Sequence, residues 1–192
     1  MVNKIILSKI NKKEKGYLIG LFLGDGYSNY NKRDRHYIVE FYLNSERDRK
    51  IIAFLAELLT NLSLRCFFHK DKRCNCMRVK VNSKKLYFFV QNHIKNLYKN
   101  KFSNKEFDIG LISGFIDAEG CIGNGEILLT QKDYKTLKLI KEICEHYSIQ
   151  TRKFWSANNY KSKNRIWRLR LSTSFKKAEH ISQKIAGWGS VY

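Results

Sequence analysis

The stretch Gly16-Tyr-Leu-Ile-Gly20-Leu-Phe-Leu-Gly24-Asp25-Gly26 decides the fold, because the chain writes it twice. The second copy is Gly110-Leu-Ile-Ser-Gly114-Phe-Ile-Asp-Ala118-Glu119-Gly120, at a constant offset of 94 residues (110 − 16 and 119 − 25). In each copy a small residue recurs at every fourth position: Gly16, Gly20 and Gly24, then Gly110, Gly114 and Ala118. On a helix this spacing makes one smooth stripe. An interior Gly costs roughly 0.5–1 kcal/mol relative to Ala, so a row of them needs a reason. Close approach of two helix backbones supplies it. The two copies are expected to pack together along their stripes. Each ends in one carboxylate followed by Gly, the usual helix terminator. Two carboxylates should therefore meet where two helices end.

Composition bounds the partner. The 192 residues suffice for one domain or two small ones with a shared core. Lys and Arg number 37 against 17 Asp and Glu, a net charge of +20. That imbalance implies a polyanion, nucleic acid rather than a membrane surface. A hydrophobic content of 43% indicates a folded core and not a solvated basic tail. No apolar run approaches the length of a bilayer span or a secretory signal, so an intracellular location, cytoplasmic or organellar, is the expectation. The five cysteines (Cys66, Cys74, Cys76, Cys121 and Cys144) are read as free thiols. Cys74-Asn-Cys76 lacks the spacing of a zinc knuckle.

The chain reads as two halves, residues 1–97 and 106–192, joined by a linker at 98–105. The first helix is expected over about 13–25. A hairpin with its turn near Arg33–Arg35 follows, then a helix over about 46–62 capped by Asn44-Ser45. A second hairpin and a helix after Ser83 complete the half. The order then repeats: a helix to Glu119, a hairpin over about 121–131, a helix over 133–147, strands at about 151–156 and 165–171, and a last helix over 175–185. Arg78-Val-Lys-Val-Asn-Ser83 corresponds to Arg168-Leu-Arg-Leu-Ser-Thr173. Both alternate strictly, with apolar residues on one face and cations on the other. Solvated sheet faces usually carry both signs. Here the outer face is basic in both halves, which favours a nucleic-acid surface.

Helix-strand-strand-helix-strand-strand-helix, written twice, with Leu18-Ile-Gly-Leu-Phe-Leu-Gly-Asp-Gly26 and Ile112-Ser-Gly-Phe-Ile-Asp-Ala-Glu-Gly120 at equivalent points, resembles the LAGLIDADG homing endonucleases in their compact single-chain, two-motif form. The resemblance implies an α+β fold of two pseudo-symmetric αββαββα halves. The motif helices would form the interface, and two antiparallel sheets a DNA-binding saddle. It also implies a monomer making a metal-dependent staggered double-strand cut, with 3′ overhangs, in a long asymmetric DNA site, and an intron-encoded origin. Mg²⁺ is the implied cofactor, with Mn²⁺ able to substitute.

The acids have a physical reading of their own. A carboxylate at a helix C-terminus meets the negative pole of the macrodipole. Two converging there, Asp25 and Glu119, repel unless a divalent cation joins them. The resemblance adds the backbone carbonyls of Gly24 and Ala118 to that metal site. It makes Gln131, at a strand-to-helix junction, a water-positioning residue, with Lys132 beside it as a phosphate contact; simple helix capping is the other reading of Gln131. In the first half Ser45 is expected at the equivalent point, so one centre lacks the Gln. Lys80 and Arg170 are candidates for stabilising developing charge, or for plain phosphate contact. Asp117, where the first copy has Leu23, is assigned a structural or solvent role.

DNA contacts are expected from Tyr27, Asn29, Tyr30, Asn31, Arg33, Arg35, Glu40, Tyr42, Lys70, Arg78 and Lys80 in one half. In the other they come from Lys132, Arg152, Trp155, Lys161, Arg165, Arg168 and Arg170. The competing class is an RNA-splicing maturase bound to intron RNA, or a non-cleaving DNA-binding regulator on the same fold. Retention of both acids favours the enzyme. If the basic saddle is right, log affinity for duplex DNA should fall with log salt at about −0.9 per phosphate neutralised. Fluorescence anisotropy across a salt series measures that slope, and a flat response contradicts the saddle.

Overall fold

The computed structural model describes residues 7–71, 73–100, 102–123, 126–158, 165–172, 175 and 180–188. A 3-10 turn (Leu7–Lys9) leads into α1 (Lys12–Asp25), then β1 (Gly26–Asn31), β2 (His36–Asn44), α2 (Arg49–Asn61), β3 (Cys66–Asp71), β4 (Cys76–Asn82) and α3 (Lys84–Asn100). The second half runs α4 (Lys105–Glu119), β5 (Gly120–Gly123), β6 (Glu126–Gln131), α5 (Tyr134–His146), β7 (Trp155–Asn158), β8 (Arg165–Ser172) and α6 (Gln183–Trp188). Each half holds a four-stranded antiparallel sheet, in the orders β1-β2-β4-β3 and β5-β6-β8-β7. The expected α+β fold with two sheets is what the chain adopts.

The motif helices pack backbone to backbone. A Cβ built on Gly16 would fall under 3 Å from the Phe107 carbonyl oxygen, and one on Gly20 equally close to that of Leu111. Reciprocally, Gly110 meets the Lys13 carbonyl and Gly114 that of Tyr17. Only hydrogen-bearing Cα atoms fit there, and Cα–H···O contacts are the natural result. At the third step Gly24 faces the Ala118 methyl, so one copy supplies the methyl and the other the space. Both helices are apolar around most of their circumference, and residues 16–22 and 107–117 are buried throughout. Their starts are fixed by asparagines. Asn11 forms a capping box with Glu14, and the Asn104 side chain accepts from the Phe107 N–H.

Each sheet buries one face. Val39, Phe41, Leu43, Val79 and Val81 form it in the first half, with Ile51, Leu55, Leu58, Leu59, Leu86, Phe89 and Val90 in the helices. Ile127, Leu129, Leu169 and Leu171 form it in the second, with Leu137, Ile140 and Ile143 from α5. The alternation read from the sequence holds on β4 and β8.

Several boundaries differ from expectation. Asn44 caps a turn, not α2: its side chain accepts from Glu46 N–H and Arg47 N–H, and α2 starts at Arg49 after Asp48. Residues 98–100 continue α3 and do not belong to the connection. Thr151 makes only an isolated bridge to Leu171, and β7 begins at Trp155. Of the last helix, expected over 175–185, the described residues form α6 from Gln183, which packs against α2 and α4, and 176–179 lie outside the described residues. Gly26 and Gly120 are extended (φ −96° and −86°), not left-handed. Glycine is required there because a Cβ would collide with the carbonyls of Phe22 and Ile116. The five thiols are free, and no described helix is long and apolar enough to cross a membrane.

Gly20→Ala should cost about 3 kcal/mol or more, because the methyl meets the rigid backbone of α4 at Leu111 and Phe115. Gly123→Ala, with nothing near its missing Cβ, should stay within about 0.5 kcal/mol. Urea unfolding of the two variants makes the comparison, and equal stabilities would refute the packing account.

Candidate functional site

Asp25 and Glu119 are the last residues of α1 and α4, and the glycine stripes bring those ends together: the Gly24 Cα stands against the Ala118 methyl and the Glu119 side chain. Burial, the proximity of Glu119 and, more weakly, Asp48 push Asp25 up to about 7, against a partial opposing pull from Lys184. Burial also raises Glu119 to about 7, opposed by Lys184, by a hydrogen bond from Gln131 and by Lys132. The pair is thus short of positive charge. Among the described residues no group of three or more His, Cys, Asp or Glu side chains is placed to hold a metal. A cation here would rely on two carboxylates and backbone carbonyls, a hard-oxygen set suited to Mg²⁺. Two carboxylates at adjoining helix ends, each beside a backbone carbonyl, are hard-oxygen donors, so the residues present fit such an ion.

Gln131 lies where expected. Its side-chain N–H donates to Glu119 Oε1 at 2.8 Å, and its Oε1 accepts from the Lys132 N–H at 2.7 Å. The first-half counterpart is not Ser45. Gly26 pairs with Phe41 as Gly120 pairs with Leu129, so the residue two further on is Leu43 in one half and Gln131 in the other. Their partners on the next strand, Met77 and Trp167, agree. Leu43 is buried, and Ser45 sits beyond it in the turn, with Oγ buried and lacking a hydrogen-bond partner. The half containing Asp25 therefore has an apolar side chain where the other has an amide.

The registers sort the expected DNA contacts. Tyr27, Glu40 and Lys80 form one cross-strand row on the basic face, and Tyr42 and Arg78 the next, with His69 beside them. Asn29 and Asn31 share that face, and Arg33 and Arg35 are exposed at the β1–β2 turn. Glu40 is buried there, accepting from the Tyr42 hydroxyl at 2.6 Å and lying 3.9 Å from Arg78. In the second sheet Arg168, Arg170 and Trp155 share the corresponding face, and Lys132 is exposed at the end of β6. Three of the expected contacts lie off that face. Tyr30 stacks on Tyr37, 4.4 Å between centroids, which itself abuts Tyr87 and Phe88 of α3. Lys70 pairs with Met77 on the helix side of its strand. Arg165 has the register of Trp167, over whose ring its guanidinium lies, and not that of Arg168. Lys161 is outside the described residues.

Lys80 and Arg170 occupy equivalent rows, two strands from Tyr27 and Cys121 and so about 10 Å across the sheet from the acid ends. Arg170 is engaged by Glu126 at 3.2 Å and by the Trp155 ring at 5.0 Å, while Arg152 also pairs with Glu126 at 2.7 Å. The contacts with Glu126 and Trp155 do not place Arg170 at the acids.

Two residues that the sequence reading undervalued shape the site. Asp117 is fully buried, with no role toward solvent. It accepts from the Tyr17 and Ser182 hydroxyls and from the N–H groups of Gln183 and Lys184. It thereby ties α1 to α4 and fixes the start of α6. Lys184, held in this way, donates from Nζ to the carbonyls of Ala118 (3.4 Å) and Gly120 (3.0 Å). Its position in sequence gives no hint of this, because only the docking of α6 brings it to the acids.

Both acids bind protons more tightly folded than unfolded. Below about pH 4 both states are protonated and no penalty exists. As pH rises the unfolded chain ionises first, so metal-free stability should fall until the folded acids titrate near about 7, then level off. Asp25→Asn with Glu119→Gln should match the parent near pH 4 and exceed it by about 1 kcal/mol or more at pH 8. Thermal melts in chelator test this. A double variant no more stable at pH 8 would contradict the reading of the acids.

No protein-family model matches the sequence. A curated relative, the uncharacterized protein MJ0398 of Methanocaldococcus jannaschii, is 23% identical over 141 residues, covering 72% of this chain. The chain spans about half the length of that relative, the aligned part being 50% of it. Among solved structures, I-DmoI in complex with DNA and Ca superposes with a TM-score of 0.68 at 21% identity, covering 86% of each chain. Mesophilic variants of the same homing endonuclease give 0.68 over 86% of this chain and 92% of theirs. The N-terminal LAGLIDADG domain of DUF199/WhiA gives 0.59 at 13% identity, over 91% of this chain and 86% of that one. The repeated helix, the paired acids and the two sheets are thus assembled in a known way: the chain has the LAGLIDADG fold.

Proposed function

We propose that this chain is a divalent-metal-dependent, site-specific DNA endonuclease. It makes a staggered double-strand cut with 3′ overhangs in a long asymmetric duplex site, in the manner of an intron-encoded homing enzyme acting as a monomer. One observation carries the reading: two carboxylates, each at the end of a motif helix, are packed into one acid pair between two sheets with basic outer faces. The similarity to I-DmoI, solved in complexes with DNA and Ca or Mn, supports it. Asp25 and Glu119, with the carbonyls of Gly24 and Ala118, would hold Mg²⁺ or Mn²⁺. When bound, the ion supplies Lewis-acid activation of a phosphate oxygen and of water. The chain's own residues do the rest. Gln131, anchored on Glu119 and on the Lys132 N–H, would position water at the second acid, and Lys132 would offer a cation beside it. Arg78, Lys80, Arg168 and Arg170 hold the duplex by its phosphates, and side chains of β1, β2 and the β7–β8 hairpin read bases.

Leu43 makes the two centres chemically unequal. The strand cut at the Gln131 side should go first, leaving a nicked intermediate that accumulates when product is followed with each strand labelled separately. Incubation with Mg²⁺ and a randomised duplex library, followed by sequencing of cut ends, identifies the target. On that target Asp25→Asn or Glu119→Gln should reduce cleavage by about 10³-fold or more while leaving DNA affinity within a few fold. Cleavage that survives both substitutions would overturn the assignment. Selective binding of structured RNA without any DNA cutting would favour the maturase reading.

A further inference from the structure

We propose that Lys184 is a tethered counter-ion to the acid pair, and that a divalent cation must displace its ammonium to bind. This inference rests on the reading of Asp25 and Glu119 as metal ligands.

The geometry is specific. Lys184 is the second residue of α6, and its backbone N–H is held by Asp117 Oδ1 at 3.0 Å. Asp117 is fully buried and takes three further hydrogen bonds, so the root of the Lys184 side chain is rigidly placed. From there Nζ reaches two carbonyls that flank Glu119 in sequence, Ala118 at 3.4 Å and Gly120 at 3.0 Å. Those carbonyls lie at the C-terminus of α4, the negative pole of that helix. A cation at such an end is favourable, and one beside two repelling carboxylates is more so.

The same geometry sets up a competition. The Ala118 carbonyl is a predicted metal-facing oxygen, and here the ammonium is its partner. A +1 charge on a flexible stem offsets the acid repulsion in the free protein. It also repels a +2 ion arriving at the same oxygens. Lys184 also borders a groove of about 360 Å³ between the start of α2 and α6, where Glu46 is the one acidic lining residue beside Arg47, Arg49 and Lys50. In the first copy Leu23 stands where the second has Asp117, so that position cannot anchor such a segment. Lys184 therefore acts on metal occupancy, as a positioning residue, and not on the reacting atoms.

Calorimetric titration of Mn²⁺ into the full chain tests this, with metal alone as the probe. Lys184→Met removes the charge and keeps the length. It should tighten Mn²⁺ binding about ten-fold, as expected for loss of one nearby like charge. Lys184→Gln should tighten it similarly and covers the case where Met fails to fold, whereas Lys184→Arg should leave it near the parent value. A merely structural lysine would not give this order. Unchanged or weaker binding in both uncharged variants overturns the proposal. If, in addition, Asp25→Asn and Glu119→Gln still abolish Mn²⁺ binding, the metal site stands and only the role of Lys184 falls. If no variant binds Mn²⁺, both readings fall together.

Discussion

The structure depends on two helix backbones in direct contact. Between α1 and α4 the carbonyls of Phe107, Leu111, Lys13 and Tyr17 lie where side chains of Gly16, Gly20, Gly110 and Gly114 would be. Ordinary helix pairs stand about 8–10 Å apart because side chains fill the gap. Removing them lowers that limit and lets the two C-termini converge. Convergence has an electrostatic consequence: two negative helix poles and two carboxylates share a half-buried space. The stripe that relaxes a steric limit thus creates an electrostatic deficit, and a cation is the natural remedy.

The two halves divide the work unequally around this contact. The second half supplies Gln131 against Glu119, Lys132 at the end of the same strand, and through α6 the Lys184 ammonium. The first half supplies Asp25 with the buried Leu43 nearby in register. Asp117 is the pivot of the asymmetry. One side chain caps α6, accepts the Tyr17 hydroxyl across the helix interface and positions Lys184. Its counterpart Leu23 does none of these, so duplicated helices do not make duplicated sites.

How much of this is legible in the sequence varies with the physics involved. The repeat, the helix pairing and the acid pair are legible because they rest on local periodicity and on a small-residue stripe that only close helix contact requires. The basic and apolar faces of β4 and β8 are legible for the same reason, since side-chain alternation is a strict period of two. The pairing of Ser45 with Gln131 fails because it sets Leu43 beside Leu129, each a leucine just before its junction. Strand pairing sets Phe41 beside Leu129 instead, two residues earlier on the same face, and so finds Leu43 opposite Gln131. Tyr30, Lys70 and Arg165 depart from expectation for a related reason: a one-residue change of register moves a side chain to the other face. Lys184 is invisible in the sequence because its role depends on a tertiary contact of α6 that no local pattern announces.

The central claim is that the helix contact makes Asp25 and Glu119 one functional unit, and a double-mutant cycle on metal affinity tests it most directly. Mn²⁺ affinity would be measured for the parent, Asp25→Asn, Glu119→Gln and the double variant. If the acids act together, either single substitution removes most of the binding and the double removes little more. Additive losses, each acid contributing independently of the other, would contradict the account.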